Sequence, residues 1–164
     1  MLFNSQFATI SHMKIILYEP QIPQNTGNIV RTAAVTGSDV LIFNPGFSTS
    51  DRHLKRAGLD YWEGVNVTIM TDFEELERTL MEAKNQFYFF SSKATTHYSD
   101  ISYKQDDWLI FGSETSGLPN SFFEKWPSCF ATIPMKKGVR CLNLATSAGI
   151  VVYEACRQQD FDFN

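Results

Sequence analysis

The segment FGSETSGLP at Phe111–Pro119 begins where the apolar run Trp108–Phe111 ends, and glycines flank its polar centre. Further along, IPMKKGVRCLNLATSAG at Ile133–Gly149 again passes from an apolar stretch into a loop and then into a long helical pattern. In open parallel sheets, ligands bind where loops leave the carboxyl ends of strands and backbone groups are free. Together with IPQNTGNIVRTAA at Ile22–Ala34, these segments predict a small-ligand site.

Apolar strands alternate with helical patterns along the chain, which predicts an α/β fold with a parallel sheet covered on both faces in a single domain. The predicted strands are Lys14–Tyr18, Val40–Phe43, Val65–Met70, Gln86–Phe90, Trp108–Phe111 and Cys129–Ile133. The predicted helices are Asn25–Gly37, Asp51–Ala57, a segment from about Thr71 to Lys84, and Leu142–Gln159. The predicted ligand loops are Phe90–Lys93, Gly112–Gly117 and Pro134–Arg140.

Residue types at the helix ends indicate caps. Asn25 is a candidate N-cap of the first helix, which Gly37 ends. Thr71-Asp72-Phe73-Glu74 has the pattern of a capping box, and Ser50 or Asp51 is placed to cap the short basic helix.

The 164 residues are 43% hydrophobic and 14% aromatic, which is ample for one compact core. No stretch has the apolar length of a membrane span, and Met1–His12 lacks the basic start and apolar centre of a signal peptide. We therefore expect a cytoplasmic protein. Because MKIILYEP looks like a natural start at Met13, residues 1–12 are expected to be a loose extension of a domain spanning residues 13–164.

The three cysteines, Cys129, Cys141 and Cys156, have neither a CxxC spacing nor a histidine-paired spacing. Reduced thiols are expected, with no metal site. The formal net charge of −4 argues against nonspecific nucleic-acid binding, yet the basic residues cluster. The clusters are Arg52, Lys55 and Arg56, and Lys136, Lys137 and Arg140.

Two common nucleotide-binding patterns are missing. The turn after the first strand reads EPQIPQNTGN rather than G-x-G-x-x-G, and no G-x-x-x-x-G-K-[ST] occurs. Enzymes that use nicotinamide, flavin or nucleoside triphosphates are thus disfavoured.

Three motifs in order, NTGNIVR, FGSETSGLP and IPMKKGVRCLNLATSA, resemble those of the SPOUT class of RNA methyltransferases. With LYEPQIPQNTGNIVRTAA and the ending VVYEACRQ, the chain resembles the TrmL/YibK branch, the tRNA (cytidine/uridine wobble-position 2'-O)-methyltransferases. The resemblance runs from about Lys14 to Gln159. It implies a C-terminal deep trefoil knot, a homodimer, and S-adenosyl-L-methionine bound in a bent shape within the knot.

The last helix gives independent support for a homodimer. Leu144, Ala148, Val151 and Ala155 form one apolar face, and a nearly opposite stripe also carries large apolar groups. A helix with two such faces needs two partners. The second stripe consists of Thr146, Ile150, Tyr153 and Arg157.

The resemblance also implies the cofactor site. Backbone groups of one set of residues would hold adenine and ribose, namely Phe90, Gly112, Ile133, Cys141 and Leu142. A second set would line the pocket, namely Ser113, Glu114, Gly117 and Met135. For Glu114, the alternative is a loop carboxylate that faces water.

Arg31 is the candidate catalytic residue. Attack of a ribose 2'-hydroxyl on a methyl group builds negative charge on the oxygen, which a nearby cation stabilises. Arg31 lies with Asn28 on the polar side of the first helix, and the matching arginine of related enzymes is regarded as catalytic. Because a guanidinium is hard to deprotonate, phosphate clamping and oxyanion stabilisation are favoured over base chemistry. A surface arginine paired with a carboxylate is the alternative.

Asn25 either caps its helix or orients Arg31 or the ribose, and Asn143 presents the same choice at the last helix. Arg140 is a candidate partner of a phosphate or of Glu114. Ser147 is a candidate for substrate contact. Tyr153 resembles a family tyrosine at the dimer interface near bound tRNA.

Three positions depart from the branch's pattern. Cys141 and Ala145 stand where serine is frequent, and Ser113 stands where proline is common. If Cys141 acts through its backbone, the cofactor site is preserved, whereas a hydroxyl that the reaction required at position 145 would be missing, and one proton-transfer role with it. The sequence G-S-E, with Ser113, occurs in sister groups of the class.

Arg52, Lys55 and Arg56, with Lys136 and Lys137, are candidates to contact tRNA phosphates, the alternative being solvated surface charge. The predicted function is S-adenosylmethionine-dependent 2'-O-methylation of the tRNA wobble nucleotide. Alternatives are a noncatalytic RNA-binding relative and an enzyme that acts on ribosomal RNA or on a base nitrogen.

Overall fold

The computed structural model describes residues 12–48, 50, 62–84 and 86–163. The predicted extension, apart from His12, and the predicted helix Asp51–Ala57 lie outside the described residues. In the described part, six parallel strands form one sheet in the order β3-β2-β1-β5-β4-β6. The strands are β1 Lys14–Tyr18, β2 Asp39–Phe43, β3 Val67–Met70, β4 Phe87–Phe90, β5 Trp108–Phe111 and β6 Phe130–Ala131. The predicted parallel sheet is confirmed, although β6 is shorter than the predicted Cys129–Ile133.

Helices cover both faces of the sheet because the central strands alternate apolar side chains between the two sides. Ile15 and Leu17 of β1 pack under α1 and α4, whereas Ile16 and Tyr18 pack toward α2 and α3. The helices are α1 Pro23–Thr36, α2 Phe73–Met81, α3 Asn120–Lys125 and α4 Leu144–Gln158. Within the described ranges, each helix is too short or too polar to cross a bilayer.

The prediction that Asn25 caps α1 is wrong. The helix begins earlier, with Ile22 as N-cap and Pro23 in the first turn. Proline suits this position because its missing N–H would have no helical partner there. The predicted end is confirmed: Gly37 has a φ of 68° and donates its N–H to the Ala33 carbonyl.

The cap of α2 lies one residue beyond the predicted Thr71. The Oδ1 of Asp72 accepts hydrogen bonds from the N–H groups of Glu74 at 2.9 Å and Glu75 at 3.3 Å. A carboxylate satisfies two free donors at this end of the helix, which explains why Asp72 rather than the threonine is the N-cap. The helix ends at Met81, before the predicted Lys84.

Candidate active site

A cleft of about 640 Å³ opens at the carboxyl ends of β1, β4 and β5. The strand order reverses here, because the chain moves outward from β1 to β2 and β3 and then returns to the other side of β1 as β4 and β5. Such switch points leave a crevice between diverging loops. The volume falls within the range of pockets that hold small molecules.

The three predicted ligand loops meet in this cleft. Every residue predicted to hold the cofactor lines it: Phe90, Gly112, Ser113, Glu114, Gly117, Ile133, Met135, Cys141 and Leu142. Four further predicted site residues also line it: Asn25, Arg140, Asn143 and Ser147.

The loop after β5 is a tight turn closed by its own backbone. Ser113 and Gly117 exchange two hydrogen bonds, of 3.1 Å and 2.9 Å. A Cβ at Gly112 would lie 2.4 Å from the Gly117 carbonyl carbon, so the turn closes only over a glycine. Gly117 itself has a φ of 65°.

Glu114 joins this turn to the start of α1. Its carboxylate accepts the N–H of Gln21 at 2.7 Å, the N–H of Ile22 at 3.1 Å and the Asn25 Nδ2 at 3.0 Å. These donors precede or begin a helix, where free N–H groups and the helix dipole favour a negative charge. The proposed pairing of Glu114 with Arg140 is not seen in the described structure; the partners of this carboxylate are Asn25 of α1 and the two residues before the helix, Gln21 and Ile22.

Asn25 and Asn143 extend the connection to the last helix. The Asn25 Oδ1 accepts a hydrogen bond of 2.9 Å from the Asn143 Nδ2, and Asn25 is 5% exposed. The Asn143 Oδ1 in turn accepts the N–H of Ala145 at 2.8 Å and that of Thr146 at 3.3 Å, which caps α4. One polar chain from Glu114 through Asn25 to Asn143 therefore fixes the segments of all three motifs relative to one another. Asn143 is the predicted cap, whereas Asn25 acts as a bridge.

The segment from residue 134 to residue 142 forms the outer wall of the cleft. No backbone hydrogen bond joins it to another segment within the described ranges. Met135 and Leu142 are 37% and 39% exposed. Free backbone groups beside apolar side chains suit a ligand that has a flat heterocycle and polar edges.

Four predicted site residues of the described structure do not line the cleft, among them the exposed candidates for phosphate contact, Lys136 and Lys137. Arg31 is exposed on α1, on the same polar side as Asn28. Tyr153 is 45% exposed on α4. The predicted RNA contacts Arg52, Lys55 and Arg56 lie outside the described residues.

Several lining residues were not predicted as individual site residues. Ser91, Ser92 and Lys93 belong to a predicted ligand loop, and their position directly after a strand was the signal that identified the loop. Phe123 lies on α3, a helix that the sequence pattern did not predict. Among the described residues, no three His, Cys, Asp or Glu side chains cluster closely enough to hold a metal ion.

Comparison with known proteins agrees with this geometry. Residues 12–153 match the SpoU rRNA Methylase family. The chain is 43% identical over 150 residues to the tRNA (cytidine(34)-2'-O)-methyltransferase of Escherichia coli (strain K12), an alignment that covers 89% of this chain and 93% of the relative.

Two solved structures share the fold. One, described as "Structural insights into the 2-OH methylation of C/U34 on tRNA", superposes with a TM-score of 0.84 at 38% identity and covers 92% of this chain and 99% of its own. The other is the SpoU methyltransferase AviRb from Streptomyces viridochromogenes in complex with AdoMet. It has a TM-score of 0.80 at 21% identity and covers 92% of this chain and 58% of its own.

Proposed function

The chain belongs to the SpoU rRNA methylase family, and we propose that it methylates the ribose 2'-hydroxyl of the tRNA wobble nucleotide, with S-adenosylmethionine as the methyl donor. The observation that carries the proposal is the cleft in which the three motif loops meet, in a chain 43% identical to a tRNA (cytidine(34)-2'-O)-methyltransferase. The nucleotide is cytidine or a modified uridine.

The residues present fit the cofactor. The cleft has the volume for it, apolar walls at Phe90, Met135 and Leu142, and loops whose backbone groups can pair with an adenine edge. When bound, S-adenosylmethionine supplies an electrophilic methyl group on a sulfonium. The backbone of Phe90, Gly112, Ile133, Cys141 and Leu142 would hold adenine and ribose, and Ser113, Glu114, Gly117 and Met135 would complete the pocket.

Arg31 stabilises the ribose oxygen as it loses its proton. Arg31 lies six residues after Asn25, which is about 9 Å along the axis of an α-helix. Helical side chains lean toward the N-terminus, and on α1 this is the cleft end. This lean supports an approach of the Arg31 side chain to the rim of the cleft, where we propose that the 2'-hydroxyl enters. Asn25 and Asn143 are positioning residues, since both bind protein groups in the chain that starts at Glu114.

Arg31→Ala tests this role. We expect transfer to fall by about 10²–10³, the usual loss for one group that stabilises an oxyanion, with cofactor binding unchanged because Arg31 does not line the cleft. Labelled methyl transfer and calorimetry measure the two quantities. Arg31→Lys, which keeps the charge, is the matched control and should retain more activity. Full activity in Arg31→Ala would contradict the mechanism.

The path of the chain supports the deep trefoil knot that the family resemblance implies. From β6 at one edge of the sheet, the chain crosses the ends of β4 and β5 and then packs α4 against α1 near the centre. We propose that this C-terminal segment passes through a loop of the domain, which spans residues 13–164 after an extension at residues 1–12.

The outer stripe of α4 supports a homodimer. Ile150 and Tyr153 are not buried within the chain, and a Cβ added at the neighbouring Gly149 would have no atom within 4 Å. A glycine inside a helix costs about 1 kcal/mol relative to alanine, a cost that close approach of a second helix explains. Tyr153 then lies at the interface near bound tRNA, and the protein acts in the cytoplasm on tRNA.

The decisive assay is tritiated methyl transfer to unfractionated RNA, followed by mapping of the labelled nucleotide. The proposal predicts label on the 2'-oxygen of the tRNA wobble position. Label on ribosomal RNA or on a base nitrogen would contradict the proposed substrate and indicate a related methyltransferase. Cofactor binding without transfer to any RNA would indicate a noncatalytic RNA-binding protein.

A further inference from the structure

Two cationic side chains from different loops line the cleft. Lys93 lies in the turn after β4, and Arg140 lies in the segment before α4. Neither forms an ion pair with a described carboxylate, whereas Lys125 pairs with Glu77 and Arg157 pairs with Glu154. Two positive charges thus line the cleft without a direct ion pair to a described carboxylate.

The acidic residue of the lining, Glu114, directs its carboxylate to other partners. It accepts hydrogen bonds from the N–H groups of Gln21 and Ile22 and from the Asn25 Nδ2, and it forms no ion pair with Lys93 or Arg140. A sulfonium in the cleft would be repelled by Lys93 and Arg140, so these side chains add nothing to the binding of a methyl donor through its sulfur. Their chemistry fits an anion.

The position of Lys93 is fixed by its turn. The Ser91 Oγ accepts the Lys93 N–H at 3.3 Å, and the Ser91 carbonyl accepts the Ala94 N–H at 3.1 Å. Ser91 itself donates its N–H to the carbonyl of Ala131 in β6 at 3.0 Å. A flexible, exposed lysine on an anchored turn suits a phosphate, which it meets as a point charge.

We propose that Lys93, together with Arg140, binds an RNA phosphate next to the target ribose; this inference rests on the proposed function. The net charge of −4 means that the whole molecule does not attract RNA, so a few local cations must supply the phosphate contacts. The carboxylate of the cofactor's methionine group is the other anion with matching chemistry, and the test separates the two.

The test compares Lys93→Ala and Lys93→Arg with the wild-type enzyme. Affinity for tRNA is measured over a series of salt concentrations, and affinity for S-adenosylhomocysteine by calorimetry. We expect Lys93→Ala to weaken tRNA binding by about tenfold and to lower the slope of log affinity against log salt by about 0.7–0.9, the value for one lost phosphate contact. Affinity for S-adenosylhomocysteine should stay unchanged, and Lys93→Arg should restore both tRNA affinity and slope.

Lys104→Ala is the matched control, because it removes the same charge from an exposed residue before β5, at the opposite end of the sheet. Its tRNA affinity and salt slope should equal those of the wild type. Weaker S-adenosylhomocysteine binding with unchanged tRNA binding in Lys93→Ala would assign the lysine to the cofactor carboxylate and overturn the inference. No change in either affinity would also overturn it. A wild-type protein without transfer activity would contradict the proposed function, whereas active wild type with an unaffected Lys93→Ala contradicts only this inference.

Discussion

Asp107 has a fully buried carboxyl group at the start of β5. Its Oδ2 accepts the Lys104 N–H at 2.8 Å, and its Oδ1 has no partner among the described residues. Burial raises the pKa of Asp107 above its usual value, and the hydrogen bond from Lys104 opposes this only in part. The charged carboxylate is therefore costly to bury at this position.

This cost predicts a pH dependence of stability. Because the folded state holds the Asp107 proton more tightly than the unfolded state, the free energy of unfolding falls as pH rises from about 3.9 through the raised pKa. Asp107→Asn cannot titrate, so its stability relative to the wild type should improve across that range and then level off. Urea unfolding of both proteins over a pH series measures the difference. Curves that stay parallel would contradict the prediction.

Gly112 is a residue at which even a single added methyl group is expected to disrupt the cleft. In Gly112→Ala, the new methyl would lie 2.4 Å from the Gly117 carbonyl carbon and 2.6 Å from the Leu118 nitrogen, so the turn must open. We expect a stability loss of about 1–3 kcal/mol, as for other overpacked sites, and a loss of cofactor affinity of about tenfold or more.

Gly117→Ala is the control for Gly112→Ala, because it changes the same loop with no atom within 4 Å of the new methyl. Its φ of 65° still strains an alanine, which costs about 1–2 kcal/mol without displacing the backbone. Thermal unfolding and calorimetry compare the variants. If Gly112→Ala bound cofactor as tightly as Gly117→Ala, the closed turn would not be needed for the site.

At the scale of elements, continuous apolar runs were sufficient to predict all six strands. The start of α1 was harder to predict because a distant residue satisfies the N–H groups there: the Glu114 carboxylate accepts N–H groups just before α1, although it lies 92 residues from Ile22. Helix α3 was missed because six residues after a proline carry little periodic signal. Its contribution to the cleft, Phe123, was missed for the same reason.

The position of the site could be predicted because it depends only on which loops follow the parallel strands. Such loops meet at one end of the sheet whatever their side chains are, and this is why the three motifs were expected to converge. The chain from Glu114 to Asn143 was not predictable, since residues 118 positions apart in sequence, such as Asn25 and Asn143, meet only through the packing of α4 on α1.

Helix α4 provides a test of the proposed homodimer. Ile150→Asp places a charge on the outer stripe, where a partner helix would have to desolvate it. We expect the dissociation constant of the dimer to rise by about tenfold or more, measured by analytical ultracentrifugation. Met81→Asp, on a 65% exposed methionine of α2 across the sheet, is the control and should leave the dimer intact. If Ile150→Asp left the dissociation constant unchanged, the outer stripe of α4 would not be the dimer interface.

For the whole molecule, one cleft combines a switch point of the sheet, the three motif segments joined by the polar chain from Glu114 to Asn143, and two cations in its lining. The strand order of the sheet determines where the cleft lies, and the loops provide the residues that line it. The proposed division is that the cleft holds the methyl donor, Arg31 approaches from α1, and Lys93 with Arg140 holds the RNA backbone.

Alkylation of Cys141 tests most directly whether the cleft holds the methyl donor. Cys141 is exposed and lines the cleft, whereas burial raises the pKa of both the Cys129 and the Cys156 thiols and slows their reaction. Iodoacetamide should therefore modify Cys141 first, and mass spectrometry of the peptide gives the rate. Saturating S-adenosylmethionine should slow that rate at least about tenfold, whereas an unchanged rate at saturation would contradict the placement of the cofactor between the three loops.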